Sequence, residues 1–221
     1  METVKIAILD DMVVKEDLIN LSQETELNFI DVIPRDEHKK LTHGTICTDL
    51  ILKDIGQKEI YCICVKSSEK NGNINDILTA FELCLKLKVN IISMSIGSTS
   101  FNDKAVFEKY VNIFHRMNIM LVAAHSNDLK NSYPASLDGV IGVRHTPKAI
   151  NGNPYIYYSK YENVQIGMNS SLIYDKKKKI VLRPSNSFST ALATNYIVKN
   201  IYYIGMNYYD LRRKIIQLSR E

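Results

Sequence analysis

Tryptophan is absent from the 221 residues, and glycine (9) and proline (5) are scarce. A chain so poor in both is neither collagen-like nor a low-complexity disordered segment. Cysteine occurs four times, at Cys47, Cys62, Cys64 and Cys84, without a C-x-x-C pair. Histidine and cysteine do not cluster at ligand spacing, so neither a disulfide framework nor a structural zinc site is predicted. The four thiols are expected to be reduced, buried, small hydrophobes. No apolar run approaches the roughly 18–20 residues that span a bilayer, so no membrane span is expected. The N-terminal stretch METVKIAILDD lacks the basic region, apolar stretch and cleavage site of a secretory signal, and a cytoplasmic setting is the expectation. Charge is nearly balanced: 28 basic against 24 acidic residues leave +4, too mild an excess for nucleic acid to be an expected partner. The densest basic piece, Lys176 to Lys179, reads as a solvated hairpin tip.

What the chain does contain is an alternation. Short apolar runs at Val4–Leu9, Phe29–Ile33, Glu59–Val65, Asn90–Met94, Ile119–Ala124 and Gly139–Val143 read as strands. Helical spacing fills the gaps: residues 43–55; Asn75–Leu87, with Asn75 as a candidate cap; and Asp103–Asn118, with Val106, Tyr110, Ile113, Phe114 and Met117 facing inward. Residues 155–182 read as β-like with turns, Thr190–Ile204 as a long apolar helix, and Tyr208–Leu218 as one more helix. Helices longer than ten residues between apolar strands imply βαβ units and a parallel sheet covered on both faces. The predicted fold is therefore α/β: a three-layer, doubly wound, mostly parallel sheet with helices on both faces, in a single domain over residues 1–221.

In such sheets ligands bind beyond the carboxyl ends of the strands. The polar residues there are Asp10-Asp11, His43 at a helix start, Ser95 to Ser98, His125 to Asp128, and Ser185 to Thr190. An acid, a histidine and a serine in that order are candidates for an oriented base and its nucleophile. A serine hydroxyl needs a neighbouring base, and the imidazole needs a carboxylate to hold its tautomer. Asp10, His43 and Ser187 are the candidates, with Asn127 for the oxyanion. Each feature alone has a plainer reading. An acid after a strand is commonly a turn or cap residue, and Asn127 could be a turn former. His115 on a helix and His145 in a loop read as structural or exposed, His38 as part of a charged loop, and Cys47 and Cys84 as core.

These segments together resemble the subtilisin-like serine proteases, the subtilases. Lys5 to Asp11 resembles the family's strand ending in the catalytic aspartate, and His43-Gly44-Thr45 its H-G-T histidine motif. Ile91 to Gly97 resembles its "INMSLG" strand, and Val122 to Asp128 the "AAAGN" segment with the oxyanion asparagine. Tyr133-Pro134-Ala135-Ser136 resembles the "YPAS" of the specificity-pocket wall, and Ser185 to Thr194 the G-x-S-[MF]-A-x-P helix start with the nucleophile. The likeness runs from residue 4 to about residue 200.

By that resemblance the chain is a subtilisin-like serine endopeptidase with Asp10, His43 and Ser187 as triad and Asn127 in the oxyanion hole. Ser95, Ile96, Gly97 and Ser126 would line the substrate, a peptide or protein. Some positions depart from the pattern. His125-Ser126 replaces small residues, which predicts a narrower, more polar pocket; Ser185 stands for a glycine and Ala191 for a proline. Two registers remain open for the nucleophile. Ser187 keeps Phe188 and Thr190 aligned with the motif and is preferred; Ser189 is the other. No Asp-rich calcium loop of the EF type is seen, and no metal or other cofactor is expected. Only nine residues precede Asp10, so the resemblance points to a compact intracellular processing enzyme without the family's propeptide, by analogy one that removes a leader from a modified ribosomal peptide. The alternative is a catalytically inactive, subtilase-like peptide-binding or scaffold protein. A phospho-receiver domain shares the acidic pair after the first strand, but Cys62 to Lys66 supplies no further aspartate and no phosphate-binding glycine motif is present.

Overall fold

The computed structural model describes residues 3–34, 41–66, 73–128, 130–158, 164–175 and 180–218. Its frame is an eight-stranded sheet in the order β2-β3-β1-β4-β5-β6-β8-β7. The strands are β1 (Lys5–Asp10), β2 (Glu26–Asp31), β3 (Glu59–Cys64), β4 (Ile91–Met94), β5 (Met120–Ala124), β6 (Ile141–His145), β7 (Tyr155–Tyr158) and β8 (Val164–Met168). All pairs are parallel except the edge strand β7, which runs antiparallel to β8. A separate hairpin pairs β9 (Ile173–Asp175) with β10 (Ile180–Val181). It flanks Lys176 to Lys179, which, like His38, lie outside the described residues.

Strand side chains alternate between the faces, and both faces are buried. Ile6, Ile8, Ile60, Cys62, Ile91 and Val122 meet one helix layer, made of α1 (His43–Leu52), α4 (Asn186–Asn200) and α5 (Tyr208–Leu218). Ala7, Leu9, Ile63, Ile92, Met94 and Leu121 meet the other, made of α2 (Ile74–Leu87) and α3 (Lys104–Arg116). Burial on both sides is why these strands read as unbroken apolar runs. The four cysteines are buried, and none is joined in a disulfide.

Local chemistry sets the helix ends. Asn73, not Asn75, caps α2: its side chain accepts from Asp76 N–H while the Asp76 carboxylate accepts from Asn73 N–H. The inner face of α3 is turned one position from the expected one. Phe107, Tyr110, Val111 and Phe114 are buried, while Met117 is exposed, because Phe107 and Phe114 both close on Phe81 of α2. His145 ends β6 rather than lying in a loop. Helix α4 begins at Asn186, four residues before the predicted start, capped by the Ser185 hydroxyl, which accepts from Phe188 N–H. That early start carries Ser187 into the first turn. Among the described residues no helix is long and apolar enough to cross a membrane.

Candidate active site

From β1 the chain builds β2 and β3 on one side of that strand and then crosses to build β4, β5 and β6 on the other, so the strand order reverses at β1. Crevices open at such switch points, beyond the carboxyl ends of the strands. Asp10 closes β1 there and is buried. The loop after it is tied to the start of α1. Val14 N–H donates to Thr45 Oγ1 at 2.8 Å, Thr42 caps α1 by accepting from Thr45 N–H at 3.1 Å, and the Thr42 hydroxyl donates to the Met12 carbonyl. Gly44 N–H donates to Asp11 Oδ1, and a Cβ at Gly44 would sit 2.3 Å from the Asp11 carbonyl oxygen. Only glycine allows that approach, which brings the first residue of α1, His43, against Asp10.

The result is a hydrogen bond of 2.7 Å between His43 Nδ1 and Asp10 Oδ1. The same oxygen accepts from Asp11 N–H at 2.8 Å and lies 3.7 Å from the Lys66 ammonium. Burial alone pushes the Asp10 carboxyl up. The His43 charge and hydrogen bond, Lys66 and the Asp11 amide outweigh it and hold the group down to about 2. Asp11 beside it is raised by its own burial and by the charge of Asp10.

Phe188, the third residue of α4 after Asn186 and Ser187, stacks on His43 with ring centroids 5.1 Å apart. Ser187 thereby shares the rim with the imidazole. Its hydroxyl donates to the Ser95 carbonyl at 3.3 Å, and among the described residues no hydrogen bond joins it to His43. Ser189 is fully buried, and its hydroxyl is spent on the Met168 carbonyl and on Ser170 Oγ, each at 3.1 Å. Asn127 is exposed at the cleft, and its Oδ1 accepts from Asn186 N–H at 3.1 Å. That bond leaves the Asn127 amide N–H groups for the open side.

Ser95, Ile96, Gly97, Ser126, Asn127 and Ser187 line one cleft of about 350 Å³. A Cβ at Gly97 would stand 2.7 Å from the Tyr133 carbonyl, and Ser98 bridges to Tyr133 in antiparallel fashion, so this edge is held close to the Tyr133-Pro134 turn, whose peptide is cis. Ser126 N–H is fixed by Ser132 Oγ at 2.8 Å.

The structure adds residues that the motifs do not single out. Cys47 is in the core as expected, but it also borders the site: its Sγ lies 3.7 Å from His43 Nδ1 and 3.6 Å from Ser95 Oγ. The i, i+4 spacing from His43 on one helix was the signal for it. Asp10, His43 and Cys47 offer one ligand atom each within 4.8 Å of one another, the one grouping among the described residues with a metal-binding donor set. Burial and the neighbouring Asp10 charge push the Cys47 thiol well up, which opposes the thiolate that ligation requires. Lys66 follows β3, parallel to β1, and the strand-end rule points to it. Asn186 carries no signal beyond its place beside Ser187.

His125 is buried, with Nδ1 3.3 Å from an Arg144 guanidinium nitrogen and, among the described residues, no hydrogen-bond partner for Nε2. Burial, reinforced by Arg144, pushes it from 6.5 down to about 4. The folded chain holds this ring neutral, whereas the unfolded chain protonates it near its ordinary value. Its contribution to stability is thus complete above about pH 6.5 and is lost as pH falls toward about 4, roughly 3 kcal/mol in all. The melting temperature should fall between pH 7 and pH 5, and His125→Gln should flatten that slope. An unchanged slope in the variant would count against this account.

The sequence matches the subtilase family, Peptidase_S8, over residues 2–207. The chain belongs to that family, the subtilisin-like serine endopeptidases. Among solved structures, the subtilase fold here is similar to the patellamide maturation protease PatA, with 20% identity, a TM-score of 0.69, and coverage of 97% of this chain and 85% of that one. It is similar to the self-cleaved protease domain of PatA, with 18% identity, a TM-score of 0.68, and 97% and 87% coverage. It also resembles the prenylagaramide maturation protease PagA, with 19% identity, a TM-score of 0.65, and 88% and 73% coverage. No curated protein matches the sequence. The mostly parallel sheet with helices on both faces, expected from the apolar runs, is the fold these subtilase structures share.

Proposed function

We propose that this subtilase cleaves peptide bonds through Asp10, His43 and Ser187 by way of an acyl-enzyme. The observation that carries the reading is the 2.7 Å hydrogen bond between His43 and the buried Asp10, with the Ser187 turn held against the imidazole by Phe188. Asp10 orients the ring and stabilises the imidazolium that forms. A rotation about χ1 swings the Ser187 hydroxyl from the Ser95 carbonyl toward His43 Nε2, a tightening that substrate binding commonly brings about. His43 takes the proton as Ser187 attacks and returns it to the leaving amine; water then cleaves the ester by the reverse path. The Asn127 amide and the Ser187 N–H, for which the described residues supply no acceptor, face the developing oxyanion. Peptide lies extended along Ser95, Ile96 and Gly97, joined by backbone hydrogen bonds as an added strand, with Ser126 at the side-chain pocket. Every step uses these groups, and the reading assigns no cofactor.

The substrate is carried over from the likeness to the two maturation proteases: a peptide precursor that is matured by cleavage. A fluorophosphonate probe tests the chemistry. It should attach at Ser187, located by mass spectrometry of the labelled peptide. Attachment at Ser189 would shift the register. A wild-type protein that stays unlabelled yet binds peptide would instead be the inert scaffold, a reading favoured only by the Ser187–Ser95 hydrogen bond.

A further inference from the structure

Buried polar side chains are kept only where their hydrogen bonds are met, and a side chain that meets them on several elements at once fixes those elements relative to one another. Asn186 is such a group. It is buried, and its amide nitrogen donates to two successive carbonyls, those of His125 and Ser126, each at 3.0 Å. Its amide oxygen accepts from His145 N–H at 2.7 Å, and its own backbone N–H donates to Asn127 Oδ1 at 3.1 Å. One residue thus joins the segment after β5, the end of β6 and the first turn of α4. Its two neighbours are the proposed oxyanion donor, across one hydrogen bond, and the proposed nucleophile, across one peptide bond.

We propose that Asn186 is a positioning residue that sets the distance and angle between the Asn127 amide and Ser187, so that both oxyanion donors aim at one point. The inference rests on the triad reading above. The two carbonyl bonds pin the backbone that carries Asn127. The Asn186 N–H holds the Asn127 amide in the flip that leaves its N–H groups outward. The bond from His145 keeps the Asn186 amide from rotating. A donor misplaced by about 1 Å costs on the order of a hundredfold in rate, with little effect on binding of the ground state. Asn186 touches no substrate in this scheme, so its effect falls on the bond-forming step.

The test is the rate of labelling by the fluorophosphonate probe, resolved into its affinity and its maximal rate, for wild type, Asn186→Asp and Asn186→Ala. Asn186→Asp keeps the shape and turns the two-carbonyl donor into an acceptor. Both variants, corrected for folded fraction below their melting temperatures, should lose about tenfold to a hundredfold in maximal rate, with probe affinity within twofold. A residue that only supports the fold would lower the melting temperature and leave the rate per folded molecule unchanged, and that result overturns the inference while the labelled wild type upholds the triad. A wild type that never labels overturns the triad reading itself. The wild-type protein provides a measurement that needs no variant: the Asn186 side-chain amide protons should exchange slowly with water, and fast exchange would overturn the clamp.

Discussion

Ser187→Ala should lower peptide hydrolysis by about a millionfold, the scale seen when the nucleophile of such a triad is removed. The serine two positions later makes the comparison sharp. Ser187 is half-buried at the cleft, whereas Ser189 is fully buried under α4 with its hydroxyl committed to Met168 and Ser170. Ser189→Ala should therefore act on stability, by about 1–3 kcal/mol for a broken buried polar network, and leave the rate per folded molecule near wild type. Hydrolysis assays paired with thermal melts read both effects. Loss of chemistry in Ser189→Ala with retention in Ser187→Ala would reverse the assignment.

Asp10→Asn should lower kcat by about ten-thousandfold, because an amide no longer enforces the tautomer that leaves His43 Nε2 free to accept a proton. The same substitution has a signature in stability. Asp10 is held down from 3.8 to about 2 in the folded chain, chiefly because His43 and Lys66 outweigh the cost of burial. A carboxylate with a lowered value contributes stability above about pH 4 that is lost as pH falls toward about 2, roughly 2 kcal/mol. Wild type should lose that increment over this window in acid-unfolding experiments, and Asp10→Asn should not. Equal acid midpoints for the two proteins would show that the Asp10 charge is not stabilised as described.

Several elements of this protein are legible in the chain before it is folded. The runs around Ile6–Leu9, Ile60–Cys64 and Ile91–Met94 are apolar on both alternating faces, which only a sheet covered twice can satisfy, so the three-layer arrangement follows from hydrophobicity and period. The polar residues that end those runs, Asp10 and Ser95, fall at the rim because the strands are parallel and all point the same way. The H-G-T motif marks His43, and the structure supplies the reason a glycine follows it: a Cβ there would sit 2.3 Å from the Asp11 carbonyl oxygen.

Tertiary packing decided what remained. Whether Ser187 or Ser189 faces the cleft depends on how α4 seats on the sheet: the Ser189 hydroxyl is drawn onto the Met168 carbonyl and Ser170, which leaves Ser187 at the cleft. The inward face of α3 turned by one position because Phe107 and Phe114 had Phe81 to meet. Cys47, Lys66 and Asn186 join the site through directions of side chains across 30 residues or more of chain, as in the contacts Cys47–Ser95, Lys66–Asp10 and Asn186–Ser126. Local sequence encodes period and caps, which act over a few residues. Which side chains converge is settled only when the sheet order brings β3, β4 and β5 to either side of β1, since hydrogen bonds have no reach beyond contact.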